Sequence, residues 1–301
     1  MSDLKVNAKI GRSEIYLPDR LQELWKMYRV RKVLNHNAIL ALDNDELKTY
    51  LVLHKGIGFG AKISEWMEVP EDASVYSLEK STERGTAMNI INEVDPVCLE
   101  ISDAVLDEAE KVFGKVDRNI VFPMADHLAF AIRRIRKNDT IRNPLKDDIR
   151  LLFHMEYQVA ETVIPILQQK TGLSINDDEV GFIALHVHSA IVNENVAQSL
   201  HTAQIVRNCI SYIEEKTGQK LEVTSLGYNR MMNHIRYMVT RIETGEPLKM
   251  NLNDYMETKY PDIFKLSADI CNQMSRILKK EYQDAEIGYL AMHIARVIDA
   301  E

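Results

Sequence analysis

A stretch written twice constrains this chain more than any other feature. The first copy opens with Asp126-His127-Leu128-Ala129-Phe130-Ala131-Ile132-Arg133-Arg134 and closes with Gly181-Phe182-Ile183-Ala184-Leu185-His186. The second opens with Asn233-His234-Ile235-Arg236-Tyr237-Met238-Val239-Thr240-Arg241 and closes with Gly288-Tyr289-Leu290-Ala291-Met292-His293. Within each copy the two histidines are 59 residues apart, and the copies are offset by 107 residues. Histidines recurring at one spacing mark a duplicated structural unit.

A chain of 301 residues can hold two or three domains, each with its own core. Its 46% hydrophobic and 27% charged residues suit a soluble globular protein. No apolar run approaches the roughly 20 residues of a membrane span. The N-terminus lacks the apolar region of a signal peptide. Cys98, Cys209 and Cys271 are far apart and in no metal-binding spacing, so they read as reduced thiols of a cytoplasmic protein.

Charge is uneven. Residues 27–62 carry a net +3 and residues 1–26 a net +1, within a total of −8, which leaves −12 on residues 63–301. A basic head on an acidic body places any polyanionic partner at the head.

Residues 1–26 form an N-terminal extension of unknown role, in which Pro18-Asp19 predicts a short helix through Leu21, Leu24 and Trp25. The regular pattern begins at Met27, a residue that suits a translation start. Tyr28–Leu34, Ala38–Leu42 and Thr49–Leu53 read as strands, separated by turn signals at Asn35-His36-Asn37 and Asp43-Asn44-Asp45. Ser74–Leu78 is a candidate fourth strand. So small a sheet is marginal alone, which favours pairing with a second copy as a homodimer.

Between strands lies His54-Lys55-Gly56-Ile57-Gly58-Phe59-Gly60-Ala61. Gly56, Gly58 and Ala61 satisfy a dinucleotide fingerprint, but that motif needs a helix start within a βαβ unit, and Pro70 soon interrupts the chain. One remaining reading is a flexible glycine turn. The other is a loop whose backbone approaches nucleic acid, with Lys55 meeting phosphate and Phe59 stacking on a base.

From about residue 84 the apolar spacing becomes helical. Helices are predicted over 83–92, 97–113, 121–136, 146–153, 157–171 and 178–192, then over 200–216, 228–244, 252–259, 263–279 and 284–298. The pattern reads as two five-helix domains in series, joined near Asn193–Ser199.

Histidine is the reactive side chain that repeats. No serine, cysteine or paired-carboxylate arrangement for catalysis is visible, so the chain is not expected to be an enzyme. His186 and His188 lie about 200° apart around a helix and cannot chelate one ion from it, and the second copy has Ala295 in place of His188. Neither a metal nor a cofactor is therefore expected. A neutral imidazole is a good nucleophile near physiological pH. A phosphoryl group on it adds close to two negative charges, which repel acids or recruit arginines. Arg133, Arg134, Arg236 and Arg241 lie one or two turns along the same helices, so a phosphohistidine switch is chemically sensible.

The order of a β head bearing Leu34-Asn35-His36-Asn37 and Lys55-Gly56-Ile57-Gly58-Phe59-Gly60, then two helical units carrying the paired histidines, resembles the BglG/SacY family of bacterial transcriptional antiterminators. The resemblance covers about residues 27–301. Leu185-His186-Val187-His188-Ser189-Ala190 is similar to the branch that controls glucose-uptake operons. The resemblance implies a co-antiterminator RNA-binding domain over 27–83, a small antiparallel sheet that works as a homodimer. Two PRDs, the regulation domains of the sugar phosphotransferase system, would follow over 84–196 and 197–301. The implied fold is multidomain, a small antiparallel β head followed by two duplicated all-α bundles of five helices.

The implied function is to bind a hairpin in a nascent leader RNA and so prevent termination of a sugar-uptake operon. The implied partners are that mRNA, the phosphocarrier protein and a sugar permease, with no membrane insertion. Carried over by position, Lys32, Asn35, Asn37, Lys55 and Phe59 would contact RNA, and His127, His186, His234 and His293 would accept phosphate. Three positions depart from the family pattern: His36 within a turn often written with three asparagines, His54 before the loop, and Asn233 in place of the aspartate before the histidine. The alternative is a DNA-binding activator that carries PRDs. It would need a helix-turn-helix head, and often an ATPase whose GxxxxGK[ST] loop this chain lacks.

Overall fold

The structure, a computed structural model, describes residues 9–10, 13–14, 27–43, 48–79, 81–82, 85–192, 195–222 and 225–298. The predicted helix after Pro18, most of the Asp43-Asn44-Asp45 turn and the first residues of the joint at Asn193 lie outside them. The chain divides into two compact units, residues 1–104 with 121–129, and residues 105–120 with 130–301.

In the first unit five strands form one antiparallel sheet: β1 (Met27–Asn35), β2 (Ala38–Asp43), β3 (Thr49–Leu53), β4 (Trp66–Glu68) and β5 (Ser74–Ser77). Their order is β4-β1-β2-β3-β5. Period-two alternation in β1 buries Tyr28 and Val30 while Arg29 and Arg31 face water. β2 lies mid-sheet and is buried along its whole length. The core gathers Tyr28, Val30, Ile39, Ala41, Val52, Ile57 and Val69, and the Tyr28 and Tyr50 rings meet edge to face at 5.8 Å. Strand β4 was not predicted, because three residues ahead of Pro70 are too few to display alternation.

The same unit continues through α1 (Ala87–Glu93), capped by the Thr86 hydroxyl, and the facing parts of α2 (Pro96–Phe113) and α3 (Val121–Arg136). The Tyr76 hydroxyl donates to Asp103 on α2, and its ring meets Phe122 of α3 edge-on at 5.9 Å.

The second unit holds α4 (Lys146–Leu152), α5 (His154–Glu161), α6 (Val163–Thr171), α7 (Asp177–Ile191) and α8 (Val196–Thr217). It continues with α9 (Leu226–Thr244), α10 (Asn253–Lys259), α11 (Pro261–Leu278) and α12 (Ala285–Ile298). The one helix predicted over 157–171 is two, α5 and α6, parted at Thr162. Pro165 has no N–H to offer the carbonyl four residues back, at Glu161. In the second repeat the corresponding position is Asn272, and α11 runs unbroken.

Two devices recur in both repeats. Arg134 donates to Glu179 at 2.7 Å, and Arg241 forks onto both Glu286 oxygens at 2.6 and 2.7 Å. Each repeated glycine lies against an asparagine: a Cβ at Gly181 would stand 2.9 Å from the Asn143 amide, and one at Gly288 would stand 2.6 Å from Asn253 Oδ1. That oxygen accepts the Gly288 N–H at 2.9 Å. The glycine of the repeated closing motif is therefore a packing requirement.

Candidate functional site

In the head, β1 and β2 meet at a turn that is stitched to the glycine loop after β3. Asn35 Oδ1 accepts the Asn37 N–H at 2.8 Å, and Asn37 Oδ1 accepts the Gly56 N–H at 2.9 Å. The His54 N–H donates to the Asn37 carbonyl at 3.0 Å, and the Gly58 N–H donates to the His36 carbonyl at 2.9 Å. These bonds fix which way each carboxamide faces, since its oxygen is already committed. Both NH2 groups then converge on Glu100 of α2, Asn35 Nδ2 on Oε1 at 2.7 Å and Asn37 Nδ2 on Oε2 at 3.0 Å.

The glycines have distinct duties. A Cβ at Gly58 would stand 2.0 Å from the Asn35 carbonyl oxygen, and Gly56 holds a φ of +79°. Phe59 is 78% exposed, with His36 edge-on to its ring at 5.9 Å. Lys55 is exposed on that loop, and Lys32 is exposed on β1. The structure thus brings Asn35, Asn37, Lys55 and Phe59 into one turn–loop assembly, with Lys32 on the strand leading into it. Because the segment Gly56–Ala61 links two strands of one antiparallel sheet, the dinucleotide reading has no helix to stand on.

In the second repeat, α9 and α12 set His234 and His293 ring against ring, with centroids 4.5 Å apart and planes 25° apart. Tyr289 stacks near His234 at 6.0 Å. Among the described residues the buried Nε2 of His234 has no hydrogen-bond partner. Burial, then the neighbouring His293 and Arg241, lowers His234 to a pKa of about 3. Burial, then Arg296 and Arg230, lowers His293 to about 4. Both rings are neutral at physiological pH, the state a nucleophilic imidazole needs.

In the first repeat His127 sits half-buried on α3, in the first unit. His186 is buried on α7, in the second unit. His188, about 200° around the same helix, bonds Glu156 of α5 through Nδ1 at 2.9 Å and packs on Phe153 at 4.3 Å. Burial pushes the Glu156 carboxyl up, but the His188 hydrogen bond and nearby Arg236 bring it below its ordinary value. Of the arginines read as phosphoryl partners, Arg134 and Arg241 are held by Glu179 and Glu286. Arg236 donates to the Leu152 carbonyl at 3.3 Å, and Arg133 lies over the Phe130 ring. Sequence reading missed Glu100, Glu156 and the two carboxylates. Only Glu179 and Glu286 had left a signal, an acid repeated at the histidine offset.

Matched against known families, residues 28–85 fit the CAT RNA binding domain, and residues 100–190 and 207–297 each fit the PRD domain. The chain belongs to the BglG/SacY family of transcriptional antiterminators. Its relatives in that family include the GlcA/glcB genes antiterminator of Staphylococcus carnosus (strain TM300), 28% identical over 89% of this chain and 94% of that protein. The PtsGHI operon antiterminator of Bacillus subtilis (strain 168) is 29% identical over 90% of this chain and 97% of its own. Transcription antiterminator LicT of the same organism is 25% identical over 90% and 99%. Several relatives are named GlcT, which supports the glucose-type branch. A crystal structure of GlcT CAT-PRDI aligns with 56% of this chain and 99% of its own at 30% identity and a TM-score of 0.48. Relatives named as antiterminators, together with the matched CAT RNA binding domain, support antitermination as the role of this family member. No helix among the described residues is long and apolar enough to cross a membrane.

Proposed function

We propose that this chain binds a hairpin in the leader RNA of a sugar-uptake operon and keeps the overlapping terminator from forming, under the control of the phosphotransferase system. The division is an RNA-binding head over 27–83 and PRDs over 84–196 and 197–301. The head works as a homodimer in the cytoplasm. The observation that carries the reading is the turn–loop assembly. Two oriented carboxamides (Asn35, Asn37), exposed Lys32 and Lys55, and an exposed aromatic, Phe59, suit phosphate contact, base-edge contact and stacking in turn.

His127, His186, His234 and His293 are the phosphoryl acceptors, and the phosphocarrier protein and a sugar permease are the donors. An imidazole lone pair attacks phosphorus, and the bond from phosphorus to its carrier atom on the donor breaks. Its electron pair returns to that carrier atom, which takes up the proton the new phosphoimidazole loses. The depressed basicity of His234 and His293 supports this, because a ring that stays neutral keeps a lone pair available.

Transcription through the leader of the phosphotransferase operon nearest its gene tests the reading. Added protein is expected to raise readthrough of the terminator. Unchanged readthrough, with an active polymerase and folded protein, would contradict it.

A further inference from the structure

The Asn35 and Asn37 amides present two NH2 groups whose direction is set by the turn itself, since each oxygen is already engaged. Such a fork fits a pair of oxygens. An RNA base edge or phosphate can supply them, and in this structure a carboxylate does. Glu100 offers Oε1 to Asn35 at 2.7 Å and Oε2 to Asn37 at 3.0 Å. Charge-assisted bonds of this kind are the strong ones, and each donor hydrogen serves one acceptor well.

We infer that Glu100 is an internal competitor of RNA: its carboxylate occupies the Asn35–Asn37 fork, and RNA can use that fork only after Glu100 has withdrawn. The inference rests on the RNA-binding reading above.

Three further observations carry it. The carboxylate is anchored. Glu100 and Asp103 are three residues apart on α2 and so share a face, and Asp103 takes the Tyr76 hydroxyl of β5 in the same unit. One helix face thus grips the head twice, once at the fork and once at the edge strand. Glu100 is also only half-buried, so its carboxylate is not locked in place by a surrounding core. Finally, Glu100 opens the segment matched to the first PRD, while both asparagines lie in the segment matched to the RNA-binding domain. A shift or rotation of α2, which runs on into the first PRD, would draw the carboxylate off the fork. Regulation would then act on the donors themselves as well as on any pairing of heads.

The test uses the full chain and the leader hairpin of the nearest phosphotransferase operon, with a stem-disrupted hairpin as control. Glu100→Ala is expected to bind the hairpin about tenfold or more tightly than the unaltered chain. Glu100→Gln, which keeps one acceptor oxygen and loses the charge, is expected to gain less. The gain should vanish when Asn35→Ala and Asn37→Ala are present, because Glu100 acts through those amides; a merely structural effect would persist. If Glu100→Ala destabilises the fold, the Gln variant decides the matter. Equal hairpin binding by the unaltered chain and both variants overturns the competitor and leaves RNA binding standing. Failure of every folded variant to bind the hairpin overturns the RNA-binding reading and the competitor with it.

Discussion

His234 and His293 face each other across α9 and α12 with 4.5 Å between ring centroids, and the fold keeps both neutral. Their pKa values fall from 6.5 to about 3 and about 4, so the unfolded chain binds more protons than the folded one below pH 6.5. Their contribution to stability is therefore complete above pH 6.5 and is lost as pH falls toward the folded values. Each ring should steepen the loss by about 1.4 kcal/mol per pH unit within that window. Urea melts between pH 7 and pH 5 should show this slope, and His293→Gln should reduce it by about one proton. A slope unchanged by the substitution would refute the assignment.

The two rings also differ in access. His234 is buried while His293 is half-buried. A phosphoryl donor should therefore modify His293 first, and His234 only after α9 and α12 part. Timed phosphorylation of His234→Ala and His293→Ala chains should show the slower incorporation in the His293→Ala chain. The reverse order would contradict access control.

Arg241→Ala should cost about 3 kcal/mol or more in an unfolding titration. It strands the Glu286 carboxylate, which is 1% exposed, without its partner. Arg134→Ala, the first-repeat counterpart with a more exposed guanidinium, should cost less.

Gly58→Ala should destabilise the head by about 2 kcal/mol and weaken RNA binding together, because the new methyl would meet the Asn35 carbonyl. A variant that keeps both properties would mean that the loop is free to move away from the turn.

Much of this architecture was legible in the residues. The 107-residue offset announced the duplication, and the predicted limits of α3 match the structure at Val121 and Arg136. The turn asparagines, Phe59 and the glycine loop were found as local signals, because turns and exposed aromatics are written within a few residues. What was missed is long-range or short-lived in sequence. β4 spans three residues, and Glu100 reaches Asn35 across 65 residues, a pairing no local pattern encodes. The split of α5 from α6 was readable, since Pro165 stands where the second repeat has Asn272, but helical periodicity on both sides masked it.

The most direct measurement is binding of the full chain to the leader hairpin of its nearest phosphotransferase operon, beside a stem-disrupted hairpin and a Phe59→Ala chain. Hairpin binding that disappears with the stem, and weakens by about 1–3 kcal/mol without the Phe59 ring, is the expected result. Equal binding to intact and disrupted stems, or an affinity indifferent to Phe59, would contradict hairpin recognition by this head.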